Sequence, residues 1–152
     1  MPSLFSGMKS VRVPGGGQYL PPDFKGIMRV KRAFINDGGF KDDTAVIAEL
    51  ECIDSNMPQK VPVGCSRSWY QGRLNDKKLR ETALGEVLGF LAACLGYDDL
   101  TEAERNEIEE SAEDLLGDGN PLEDRLVLVE TFNKKTKDGG DFTKHRFSAV
   151  EQ

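Results

Sequence analysis

The chain has 152 residues, 38% of them hydrophobic and 30% charged, and a formal net charge of −6. That length suits one compact domain with its own core. Cys52, Cys65 and Cys94 form no CxxC pair, and there is one histidine, so neither a disulfide framework nor a zinc site is expected. No stretch nears the ~18 apolar residues of a membrane span, and residues 1–9 lack the charged start and apolar core of an export signal. The expectation is a cytoplasmic chain with no membrane partner.

The net charge hides a strong asymmetry. Residues 1–80 hold 13 Lys and Arg against 8 Asp and Glu, residues 81–123 hold 1 against 13, and residues 124–152 hold 6 against 5. The acid therefore sits in one helix-like middle segment between basic, strand-like flanks, so a low net charge does not argue against a polyanionic partner.

Residues 1–22, with Pro14, Gly15, Gly16, Gly17, Pro21 and Pro22, read as an arm or irregular lead-in to a single domain over 23–152. Residues 24–35 alternate as a strand, placing Phe24, Met28, Val30 and Phe34 on one side and Lys25, Arg29 and Lys31 on the other. Asn36-Asp37-Gly38-Gly39 is a hairpin signal. The return strand at 44–53 has Val46, Ala48, Leu50 and Cys52 on one face and Glu49 and Glu51 on the other, and a third strand is expected at about 61–70.

A helical insertion follows at about 75–117. Asn75 or Asp76 can cap a first helix carrying Leu84, Val87, Leu88, Leu91, Ala92 and Leu95 at helical spacing. Thr101 and Glu104 form a capping box for a second helix to about residue 116, with a narrow stripe of Ile108, Ala112, Leu115 and Leu116. Two further strands, at 125–135 and 142–150, flank the turn Lys137-Asp138-Gly139-Gly140. The order β-β-β-α(α)-β-β is mostly β with a helical insertion. It is the connectivity of a five-stranded OB-fold barrel, and a β-sandwich or another α+β domain shares parts of it.

Catalytic sets are not recognisable. His145 lies between Lys144 and Arg146, whose charges are expected to depress its pKa. No Ser/His/Asp or Cys/His arrangement, phosphate-cradling loop or calcium-loop pattern is present. The expectation is no enzyme, no cofactor and no metal.

Cations for tracking phosphates and rings for stacking bases are better supplied. The candidate cations are Lys25, Arg29, Lys31 and Arg32 in the first strand, Arg67 and Arg73 around the third, and Lys134, Lys135, Lys137, Lys144 and Arg146 at the last hairpin. The candidate rings are Trp69 and Tyr70, then Phe34, Phe40, Phe132 and Phe142. Adjacent strand residues face opposite ways, so one at most of Trp69 and Tyr70 belongs to a binding face. Phe34, Phe132 and Phe147 fit core packing better, and Glu49 and Glu51 stand where they could neutralise the first strand's cations across the hairpin.

Four segments carry a family resemblance. They are Gln18-Tyr19-Leu20-Pro21-Pro22, Ser66-Arg67-Ser68-Trp69, Leu88-Gly89-Phe90-Leu91-Ala92-Ala93-Cys94-Leu95-Gly96 and Lys137-Asp138-Gly139-Gly140-Asp141-Phe142-Thr143. In these the chain resembles the small OB-fold single-stranded DNA-binding proteins encoded in tailed-phage replication modules. The resemblance implies a protein that coats single-stranded DNA in replication or recombination inside the host cell. It implicates Trp69, Arg67 and the basic residues of the first strand and last hairpin. Many single-strand binders carry an acidic tail with an apolar tip, and Ser148-Ala149-Val150-Glu151-Gln152 is not of that pattern, so no recruiting tail is expected. The acidic helix at 101–116 is then the candidate for recruiting replication proteins or for self-association. The alternative is a phage accessory or structural protein that docks a partner through that helix.

Overall fold

The computed structural model describes residues 19–36, 44–135 and 139–150. The expected turn at 37–39, Phe40 and Lys137 lie outside the described residues. Five antiparallel strands form one sheet in the order β3-β2-β1-β4-β5, with β1 Lys25–Asn36, β2 Ala45–Ser55, β3 Ser66–Gln71, β4 Leu126–Lys135 and β5 Asp141–Ala149. Helices α1, Arg80–Cys94, and α2, Glu102–Leu115, fall between β3 and β4. The fold is mostly β, as expected, and no hydrogen-bonded ladder joins β3 to β5 among the described residues.

β1 is the shared strand. It pairs with β2 along its length, but with β4 only over Lys25 to Arg29. Beyond that point Asp124 and Arg125 exchange backbone hydrogen bonds with Val30 at 2.8 Å each. The Asn120 side chain then takes the next two groups, donating to the Lys31 carbonyl at 2.8 Å and accepting from the Ala33 amide at 3.3 Å. The β1–β2 register slips between Val30 and Arg32 at this point, leaving Lys31 as the extra residue. An extra residue reverses the facing of everything after it. Ala33 therefore enters the core, and Phe34, expected inside with Val30, turns to the outer face with Arg32.

The remaining elements follow the sequence with local differences. The expected third strand loses residues 61–65 to a turn around Pro62 and Gly64, although Val61 is fully buried. Helix α1 starts at Arg80 rather than after Asp76, because Asp76 Oδ1 accepts from the amides of Lys78 and Leu79 and caps the turn ahead of it. The Thr101–Glu104 capping box of α2 forms as expected. The lead-in is not wholly peripheral: Leu20 is a core residue. Buried Thr131 fixes the chain just after it, donating to the Pro21 carbonyl at 2.6 Å and accepting from the Phe24 amide at 2.9 Å.

α1 packs chiefly against β5 and also touches β3 and β4. At the junction Trp69 of β3, Phe90 of α1 and Phe147 of β5 contact one another, with ring centroids 4.8–5.0 Å apart. Trp69 is 3% exposed. Its expected place on a nucleic-acid face is thus corrected: Trp69 opposes the buried Ala48 and points inward. The cluster draws the two sheet edges together. Trp69→Ala should lower unfolding stability by about 3–5 kcal/mol, the usual cost of deleting a buried large aromatic. Urea denaturation measures this, and a loss below about 1 kcal/mol would contradict the packing role.

Candidate nucleic-acid interface

Strand facing decides which expected residues meet. On the outer side of β1, β2 and β3 the register sets Phe34 opposite Ile47 and Ile47 opposite Tyr70, so one cross-strand row carries two aromatic rings. Arg32 lies with its guanidinium carbon 4.3 Å from the Phe34 ring centroid, a cation–π contact that leaves the cation at the surface. Tyr70, the neighbour of buried Trp69, is 42% exposed.

The row leads over the edge of β3 into a groove of about 750 Å³ between β3 and the β4–β5 hairpin. Tyr19, Tyr70 and Phe142 supply its rings, and Arg73, Lys134 and Lys144 its cations. Tyr19 and Phe142 are 45% and 47% exposed. Lys134 and Phe142 occupy paired positions of β4 and β5, which places a cation beside a ring. Arg73 reaches the groove from a left-handed backbone conformation, φ 68°, just after β3, and makes a long ion pair of 3.9 Å with Asp76.

Acid meets this surface at Asp76 beside Arg73, at exposed Glu49, which registers opposite Arg32, and at Glu51 and Glu86. Glu51 pairs with Arg29 at 3.5 Å and with Lys31 at 3.8 Å, so the neutralisation expected across the first hairpin is real at that end of β1. Glu86 of α1 pairs with Lys144 at 3.6 Å inside the groove.

Six expected site residues, Trp69, Tyr70, Arg73, Lys134, Phe142 and Lys144, line the groove, Trp69 as its nearly buried floor. Arg32 and Phe34 adjoin it along the outer face, whereas Arg29 and Lys31 are held by Glu51. Arg67 is corrected with Trp69. It opposes buried Leu50, and its guanidinium donates to the carbonyls of Ser66 at 2.8 Å and Lys60 at 3.1 Å, so it braces the turn before β3. Lys25 and Arg146 both register against Glu130; Arg146 does not line the groove but shares an adjoining cavity with Phe132, Lys134 and Lys144, and exposed Lys135 lines neither. Phe132, expected in the core, is exposed on the outer side of β4. Tyr19 is the residue that sequence reasoning missed. It forms a parallel bridge with Ser68, and only its position before Leu20-Pro21-Pro22 in the resembling segment hinted at it.

The groove wall also contains His145. Burial pushes its imidazole down to about 4, against a smaller opposing effect of its hydrogen bond with the Thr143 backbone. Desolvation, not the flanking Lys144 and Arg146, is the cause. The ring is stacked on Phe147 at 6.2 Å, and its Nε2 is buried without a hydrogen-bond partner among the described residues. Cys94 is likewise pushed up to about 12 by burial, which makes it an unreactive core thiol. Among the described residues no group of three or more His, Cys, Asp or Glu is placed to hold a metal ion, and no helix is long and apolar enough to cross a membrane.

No protein-family model matches the chain, and no curated protein matches it.

The depressed His145 has a sign that can be checked. Between about 4 and its ordinary value of 6.5 the unfolded chain binds this proton and the folded chain does not, so stability must fall as pH drops through that window. From pH 7 to pH 5 the contribution is on the order of 1–2 kcal/mol. Denaturation of His145→Gln beside the parent chain at both pH values should show the smaller acid loss in the variant. Equal losses would show that His145 is not held neutral.

Proposed function

We propose that this protein is a non-enzymatic single-stranded DNA-binding protein that coats DNA with little sequence preference. The observation that carries the reading is the continuous path from Arg32, Phe34 and Tyr70 into the groove of Tyr19, Phe142, Lys134, Lys144 and Arg73. Rings with exposed faces accept any base by stacking, and the cations between them track phosphates, so neither element demands a sequence. In this reading the sheet is an OB-type barrel. The inter-edge contact of Trp69 with Phe147 and the placement of α1 between those edges support that assignment. A role in phage replication or recombination, within the cytoplasm of the host, follows from the resemblance and belongs to the same proposal.

A second reading is favoured by one observation. α2 buries Ile108 and turns most of its acidic side chains to solvent, as an accessory or structural protein docking a basic partner would. The two readings use different faces, and DNA binding separates them.

Fluorescence-anisotropy titration with labelled single-stranded DNA at two salt concentrations tests the proposal. Affinity should fall steeply with salt. Tyr70→Ala and Phe142→Ala should each cost about 1–3 kcal/mol of binding, the value of one stacked base. Lys134→Ala should lower the salt slope by about 0.7, one single-strand phosphate contact. Glu86→Gln, which releases Lys144, should raise affinity. Absence of binding at low salt would reject the proposal.

A further inference from the structure

A second cleft, of about 660 Å³, runs between α1, α2 and the end of the β1–β2 pair. Its walls are apolar: Ile35 and Leu84 are exposed there, and Leu74, Leu88 and Ala112 are half-buried. Glu109 and Glu113 form the α2 rim, while Arg80 and Arg105 also reach the cleft. Arg80 and Arg105 balance Glu109 and Glu113 at the lining itself, while the α2 sequence holds seven Asp and Glu against Arg105 as its one basic residue, so the helix beside the cleft is acidic as a whole. Such a cleft suits an apolar segment that carries positive charge and no acid.

The chain contains that segment. Residues 1–18 include Leu4, Phe5, Met8, Val11 and Val13 with Lys9 and Arg12, have no Asp or Glu, and reach the body through Gly15-Gly16-Gly17. Tyr19 sits beside β3, and the cleft lies at the far end of that strand. Tyr19 bridges Ser68 in parallel, so from Tyr19 onward the chain runs in the same direction as β3. The cleft opens past the Gln71 end of β3, at Leu74. A stretch of 18 residues spans at most about 60 Å when extended, long enough to reach a neighbouring molecule.

We infer that residues 4–13 of one copy dock in the α1–α2 cleft of a second copy. The contact is heterologous, so each docked copy presents a vacant cleft and can receive a further arm, as a head-to-tail array does. It uses neither the groove nor Tyr70, and it stands whether or not the DNA-binding reading holds.

Sedimentation velocity of the full chain without nucleic acid, across a concentration series, provides the test. Mass should rise with concentration, and added salt should weaken the association. Phe5→Asp in the arm and Leu84→Asp at the exposed cleft wall should each move association to concentrations at least about tenfold higher. Mixing the two variants should restore a species of two copies and no larger one, since the pair retains one intact arm and one intact cleft. If Leu84→Asp fails to fold by circular dichroism, Glu113→Lys on the surface of α2 reads the same contact. A parent chain that stays monomeric throughout would overturn the inference, as would arm and cleft variants that associate like the parent.

Discussion

The contact among Trp69, Phe90 and Phe147 is the interaction on which the rest of the molecule depends. β3 and β5 are the two edges of the sheet, and no backbone ladder joins them among the described residues. Side-chain packing through α1 joins them instead. The same packing builds the groove, because Trp69 forms part of its lining while Tyr70 and Phe142 stand on its two sides. A residue that looks from its neighbours like a stacking platform thus acts one layer deeper, holding the platforms apart at a fixed distance.

Charge is arranged by the same economy of surfaces. The acid concentrated in residues 81–123 is carried largely by α2 and the turns around it, away from the outer face of the sheet. Glu49, Glu51 and Glu86 depart from that segregation, and the last two form ion pairs. Glu51 neutralises the start of the β1 cation row, and Glu86 restrains Lys144 within the groove. The surface available to an anion is therefore displaced from the first strand as a whole toward Arg32, Arg73 and Lys134. Exposed ion pairs of this kind are weak enough for a phosphate to compete with them.

Much of this was legible in the residues. Strand order, both helices, the Thr101 capping box and the outward Glu51 follow from periodicity and cap chemistry, which depend on near neighbours in sequence. Facing was legible only where alternation ran unbroken. Asn120, some 90 positions from the strand it repairs, holds the slip at Lys31 open, and that slip turned Phe34 outward. Nothing local to residues 30–34 announces it. Arg67 shares the inward side of β3 with Trp69, since it opposes buried Leu50 and its guanidinium is drawn to the Ser66 and Lys60 carbonyls, whereas Arg73 lies beyond the strand. His145 was expected to be depressed, but for the wrong reason: its neighbours in sequence point elsewhere, and burial beside Phe147 does the work.

The central claim is that the row through Phe34 and Tyr70 and the groove beyond it form one surface for single-stranded DNA. Amide chemical-shift mapping of the isotopically labelled chain during titration with a short oligothymidylate addresses it most directly. The account predicts shifts concentrated at residues 32–36, 66–73, 132–135 and 141–146, with α2 unperturbed. Shifts centred on α2, or none on either side of the groove at saturating oligonucleotide, would contradict it.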